Sequence, residues 1–197
     1  MAKTGINNKK DILLLFIYSK GVTDEFNEPI RGRTRLVKML FLFCKEGLSH
    51  FKAGTELNDD NFYTFFPWYF GPFSQQIYDD VNFFQLRGFI ELNNIESDNF
   101  NVSYSEANHY SDLTGLSIGQ NFDQETFVEQ EIVLTEKGIS FTQELFSQLS
   151  DSQKVFLQQF KKKFNSTPLK AILRYVYQAY PDASTNSIIK DNILGND

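Results

Sequence analysis

The stretch FYTFFPWYFGPF, residues 62–73, places eight aromatic side chains in twelve positions, together with the one Trp and two of the five Pro of the chain. So much ring surface belongs either to the middle of a core or to the middle of a binding surface. Its flanks decide between the two. A basic, apolar-striped segment precedes it, and a Gly-Pro turn leads from it into an acidic segment. The block is therefore read as the hub where two helices meet, with Gly71 and Pro72 setting the entry of the later one. Trp68, Tyr69 and Tyr78 are the rings expected to keep an exposed edge, because Trp and Tyr tolerate water on one side.

Toward the N-terminus, GRTRLVKMLFLF (32–43) repeats apolar residues at Leu36, Met39, Leu40 and Phe43, the spacing of one helix face. This predicts a helix over 32–46 with Gly47 as its C′ residue. Arg31, Arg33, Arg35 and Lys38 crowd its start, where the helix dipole disfavours positive charge. The mismatch points to a use other than stabilising that helix, either pairing with acidic residues elsewhere or contacting an anion. Further back, NKKD (8–11) has the form of a capping box, and ILLLFI (12–17) is uninterrupted apolar sequence. A first helix over 9–19, buried on most sides, is predicted. Gly21, Asp24, Asn27 and Pro29 mark 21–32 as loop.

Toward the C-terminus, SQQIYDDVNFFQLR (74–87) predicts a third helix, capped by Ser74, striped by Ile77, Val81 and Phe84 and closed by Gly88. FIEL (89–92) and QEIVL (130–134) read as the strands of a hairpin. Their connection, 93–127, is polar and long, so NVSYS (101–105) and its neighbours are read as adding a strand or packing locally. Thr135 caps the next helix, Ser150 and Gln153 form a capping box for another, and Thr167-Pro168 opens a last one with proline at N1. Pro181 stops it, and residues 186–197 are expected to fray. The fold expected is α+β, mostly α: a winged-helix-like helical core with a β-hairpin wing and additional C-terminal helices. It forms one domain over 1–185, with 186–197 as a flexible tail.

Four blocks carry a resemblance: GRTRLVKMLFLF (32–43), FPWYFGPFSQQIYDDVNFFQLRGFIE (66–91), VLTEKG (133–138) and LRYVYQAYPDASTNS (173–187). Together they resemble the YwgA-like and SocA-like (Panacea domain) proteins of bacteria and phages. The resemblance spans most of the chain, and Gly71-Pro72-Phe73-Ser74 in its aromatic frame is its most specific element. It implies a winged-helix-like fold and membership of toxin–antitoxin modules, prophages or defence islands, in one type as an adaptor that delivers a toxin to a protease. It implies no catalytic residues. The long 93–127 connection departs from the family pattern.

Composition narrows the function further. Apolar residues make up 41% and charged residues 22%, ordinary for a soluble globular protein. No apolar run approaches the ~20 residues a membrane span needs, and the first residues lack a signal-peptide pattern, so a cytoplasmic location without membrane contact is expected. Cys44 lies in apolar sequence and is read as a buried, inert thiol. His50 and His109 have no metal-ligand spacing, phosphate-loop and nucleophile motifs are absent, and Asp59-Asp60 and Asp79-Asp80 are adjacent pairs that share no helix face. No enzyme, metal or cofactor is expected.

The net charge of −6 conceals a gradient: residues 55–135 hold fourteen acids and one base, while both ends are basic. An acidic third helix opposes phosphate and suits a basic protein surface. The expectation is a non-enzymatic interaction protein, antitoxin- or adaptor-like, contacting a toxin or a defence or protease component through Trp68, Tyr69, Tyr78, Asp79 and Asp80. The alternative is a winged-helix DNA-binding regulator using Arg31, Arg33, Arg35 and Lys38, or the lysine run 161–163, which otherwise reads as the exposed face of a helix.

Overall fold

A computed structural model of the chain describes residues 6, 8–51, 57–58, 60–97 and 127–195. The architecture is α+β and mostly helical. Helix α1 (Lys9–Tyr18) leads through a loop to the two-residue strand β1 (Ile30–Arg31) and helix α2 (Arg33–Leu42). A small hairpin, β2 (Phe66–Trp68) and β3 (Gly71–Phe73), precedes helix α3 (Gln75–Leu86). Strands β4 (Ile90–Ser97) and β5 (Phe127–Leu134) follow, then helices α4 (Glu136–Ser147), α5 (Asp151–Ser166), α6 (Leu169–Ala179) and α7 (Lys190–Leu194).

Strands β4 and β5 pair antiparallel from Ile90↔Leu134 to Ser97↔Phe127, and β1 joins the other edge of β5 through Ile30↔Ile132, giving the sheet order β1-β5-β4. Helix, strand, helix, helix, strand, strand with that sheet order is winged-helix connectivity, interrupted by the β2–β3 hairpin between α2 and α3. Both wing strands are longer than their alternation signals. The reading of 101–105 as strand lies outside the described residues. Strand β1 falls inside the predicted loop: two residues carry no periodicity, and what makes them a strand is the edge of β5.

Helix α1 is capped by Asn8, whose side chain accepts from the Lys10 N–H, and every residue from Ile12 to Tyr18 is buried. Helix α2 does not run on to Gly47. It widens into a π-turn over Phe43–Gly47 and tightens over Leu48–His50. Gly47 has φ −107°, not a left-handed C′ conformation. A Cβ there would meet Phe43 at 2.8 Å and Phe156 at 3.0 Å, so glycine is present for ring packing. Phe43 is the centre of that packing, 5.1 Å from Phe16, 5.3 Å from Phe51 and 5.7 Å from Phe62. Cys44 beside it is half-buried rather than buried.

Thr135 and Ser150 cap α4 and α5 as predicted, the latter with a complete capping box. Two other start signals shift. Ser74 stands at the N-cap of α3 but makes no capping bond, and Pro168 is the N-cap residue of α6 rather than N1. Residues 186–195 are not a frayed tail: Ile189 and Ile193 are buried, and Arg174 donates to the Ile193 carbonyl.

Burial of α1 creates a problem at its C-terminus, where carbonyls must find donors away from water. Lys161 solves it. The first lysine of the 161–163 run is buried, not exposed, and its ammonium donates to the carbonyls of Ile17, Ser19 and Glu28, each at 2.7 Å. Burial pushes its pKa down to about 7, opposed by the Glu28 charge. Burial also disfavours the Glu28 carboxylate, but Asn165 Nδ2 and the Thr23 N–H and hydroxyl donate to it and hold it at about 2. Asn27 closes the loop with a side-chain amide that donates to and accepts from Leu134 of β5.

Lys161→Met leaves three carbonyls without a donor and should cost about 3 kcal/mol or more in urea unfolding. Lys162→Met, on the exposed face, should stay within about 0.5 kcal/mol. Glu28 has a depressed folded-state pKa, so its stabilisation is complete above the ordinary carboxylate value of 4.5 and lost as pH falls through about 2. Glu28→Gln should therefore flatten the acid limb of the stability curve over that window.

Candidate functional site

The aromatic block is a hairpin, a form its sequence does not announce. Its register is Phe66↔Phe73, Pro67↔Pro72 and Trp68↔Gly71. The two prolines face each other, the cross-strand position that requires an N–H from neither. Tyr69 and Phe70 form the turn, and Gly71 leaves it at φ +82°. A Cβ on Gly71 would also lie 2.6 Å from Tyr177 Cε1, so the hairpin tip rests directly on α6. The segment expected to fray holds it there: Asn186 donates to the Pro67 carbonyl at 3.2 Å, and the Ile188 N–H and Ser187 hydroxyl donate to Tyr69 O at 3.0 and 3.2 Å.

Of the partner residues predicted from sequence, Trp68 and Tyr69 are half-buried, with rings 4.8 Å apart, and Asp79 is exposed. Tyr78 and Asp80 are corrected, since each is only 7% exposed. The Tyr78 ring lies between Phe73, 5.2 Å away, and the Arg33 guanidinium, 5.3 Å away. Asp80 pairs with Lys10 at 3.1 Å and accepts from the Tyr63 hydroxyl at 3.0 Å. Burial first, and then the Asp80 charge and hydrogen bond, raise the Tyr63 pKa.

The basic cluster is spent inside the fold. Arg33 donates to Gln130 at 3.0 Å and to Asn82. Arg35 donates to the carbonyls of Phe164, Thr167 and Arg31, closing the C-terminus of α5. Lys38 is 2% exposed and donates to Pro72 O at 2.8 Å. Only Arg31 keeps its side chain largely in solvent, paired with Glu131 at 2.9 Å. Three of the four are therefore bonded within the fold, and Arg31 is the one left largely in solvent.

Helix α3 stands in the recognition position and exposes Gln75, Gln76, Asp79, Asn82 and Gln85. With them it exposes Phe83 at 42% and Leu86 at 88%. The apolar surface continues to half-buried Phe89 and exposed Phe141, whose rings meet edge-to-face at 5.4 Å. Lys10 and Arg87 cover Phe83, and Lys137 covers Phe89 at 4.4 Å. Phe83 and Leu86 went unmarked in the sequence because they lie off the stripe of Ile77, Val81 and Phe84. That offset was the available signal: apolar residues outside the core stripe of an amphipathic helix face water.

No family model, curated protein or solved structure matches the chain. The chemistry is therefore read from the geometry. A groove of about 800 Å³ opens between α2, the hairpin and α6, with Phe41, Phe66, Pro67 and Tyr180 among its walls. At Tyr180, Glu46 Oε1 accepts from both Tyr175 and Tyr180 hydroxyls, at 2.8 and 2.9 Å. Among the described residues no three His, Cys, Asp or Glu side chains converge as a metal site, and no helix is long and apolar enough to cross a membrane.

Gly71→Ala combines a left-handed backbone with the Tyr177 overlap, and should cost well over about 1 kcal/mol in thermal unfolding. Gly88→Ala shares the positive φ but meets nothing within 4 Å. It should cost only the backbone strain, about 1 kcal/mol.

Proposed function

We propose that this chain is a cytoplasmic, non-enzymatic interaction protein of the antitoxin or adaptor type, and that it binds a protein partner through α3. The observation that carries the reading is Leu86, 88% exposed on the recognition-position helix, with Phe83 beside it. A helix inserted among phosphates gains from cations and amides. This one exposes amides but carries no cation between Gln75 and Leu86, and it adds apolar anchors and the Asp79 charge. Anchors of this kind, rimmed by charge, dominate protein interfaces energetically. Asp79 and the exposed Glu91 at the start of the wing supply the acidic edge. The partner that fits presents an apolar side chain beside basic residues. The resemblance to Panacea-domain proteins supports the same class of activity, with a toxin or protease component as partner.

The test is capture from the native host with wild-type protein and with Leu86→Asp, Phe83→Ser and Asp79→Lys variants. Each variant should keep its melting temperature. Leu86→Asp should lose the captured protein by about thirtyfold or more, the effect of removing an interface anchor. Arg31→Glu should retain it. Equal capture by Leu86→Asp would refute the α3 surface. Salt-dependent duplex binding abolished by Arg31→Glu would replace this reading with DNA recognition.

A further inference from the structure

From Ser152 to Pro181 the chain carries six Lys or Arg and no Asp or Glu, although 25 of its 197 residues are acidic. Two of the six are committed elsewhere: Lys161 to the carbonyls at the end of α1, and Lys154 to Asp151 at 3.9 Å. The other four lie where α5 ends and along α6. Lys162, Lys163 and Lys170 are exposed, and Arg174 is half-buried. Arg174 gives its Nε–H to the Ile193 carbonyl, which fixes the guanidinium and leaves its Nη groups without a protein acceptor among the described residues.

Tyr175 stands among these cations and is 43% exposed. The Lys163 ammonium lies 5.8 Å from its ring centroid, and a shallow depression of about 360 Å³ joins the ring to Lys170, Arg174 and Gln178. The Tyr175 hydroxyl donates to Glu46 Oε1 at 2.8 Å, which pins the ring by its rim; the Tyr180 hydroxyl donates to the same oxygen. The Glu46 hydrogen bond first, and then burial, raise the Tyr175 pKa, so the ring stays a neutral phenol. Carbonyls at the end of α5 would repel an anion, but they are covered. Arg35 donates to Phe164 O and Thr167 O, and the Ser166 and Thr167 hydroxyls donate to Lys163 O. The first turn of α6 opens at the same corner, where its dipole adds to the positive field.

We propose that the α5–α6 corner binds single-stranded nucleic acid, with phosphates on Lys163, Lys170 and Arg174 and a base stacked on Tyr175. Cations give a phosphate backbone its salt-dependent affinity, and an exposed ring among them is the arrangement on which bases stack. A duplex keeps its base faces inside, and an acidic protein would use the cations and leave the ring idle. The open depression suits a strand passing over it better than an enclosed small molecule. The corner is separate from the α3 surface and does not depend on it.

The test titrates the full chain into fluorescein-labelled oligo(dT) and oligo(rU) of about sixteen nucleotides and follows anisotropy between about 50 and 200 mM salt. Binding should saturate, and log Kd should rise with log salt at a slope of about 2, the value for three phosphate contacts on a single strand. The tighter of the two oligonucleotides assigns the sugar. Lys163→Glu and Lys170→Glu should each weaken binding about tenfold or more and lower the slope. Tyr175→Ala should weaken it about tenfold with the slope unchanged, and Tyr175→Phe should restore it. Arg31→Glu and Leu86→Asp should bind as the wild-type protein does, which separates failure here from failure of the α3 surface. No saturation by the wild-type protein at the lowest salt, or a duplex of equal length bound as tightly, would overturn the proposal. So would unchanged affinity in Tyr175→Ala. Competition by polyglutamate as effective as by unlabelled oligonucleotide would overturn it in favour of an acidic protein partner.

Discussion

Helix α1 is buried along seven consecutive residues, Ile12 to Tyr18, so its last carbonyls open into protein rather than water. Much of the surrounding structure follows from supplying those carbonyls with donors. Ser19 returns its N–H and hydroxyl to Leu15, Asn27 gives its N–H to Tyr18, and Lys161 takes Ile17 and Ser19. The same ammonium reaches Glu28 O, which holds the loop that delivers β1 to the edge of β5. One cation on α5 thereby couples the end of the first helix to the sheet. A water-exposed α1 would have needed none of this.

The aromatic hairpin is positioned by the same means. Its backbone cannot be held by a neighbouring strand, because prolines occupy the central position of both strands. Side chains and distant backbone groups take over: Lys38 on the Pro72 carbonyl, Asn186 on Pro67, and Ser187 and Ile188 on Tyr69. The rings then set depth. Phe62, Tyr63 and Phe70 are buried in the core, whereas Phe66 stays exposed. The block is both core and surface.

The helices, and the starts of α1, α4 and α5, were legible because capping and apolar periodicity are local. Asn8, Thr135 and Ser150 each act within three residues of their own position. The wing was legible for the same reason at its inner end, where Ile90, Ile132 and Leu134 are buried. What could not be read was decided by residues far apart in the chain. Strand β1 exists through β5, and Arg35 bonds carbonyls more than a hundred positions away. Lys161 looks like its two neighbours in sequence and differs from them only in what it faces. The candidate site suffered in the same way: Tyr78 and Asp80 sit on the inner side of α3, while Phe83 and Leu86 sit on the outer side.

The basic cluster before α2 shows how a local conflict can be globally consistent. Positive charge at the N-terminus of α2 opposes that helix's dipole. The guanidinium of Arg35, however, lies at the C-terminus of α5, bonding the Phe164 and Thr167 carbonyls, where a cation is favoured. The apparent misplacement is the correct placement for a different helix. Arg33, Arg35 and Lys38 are committed in this way to the fold, while Arg31 keeps its side chain largely in solvent. On α3 the exposed surface includes apolar side chains at Phe83 and Leu86, outside the stripe that the core uses.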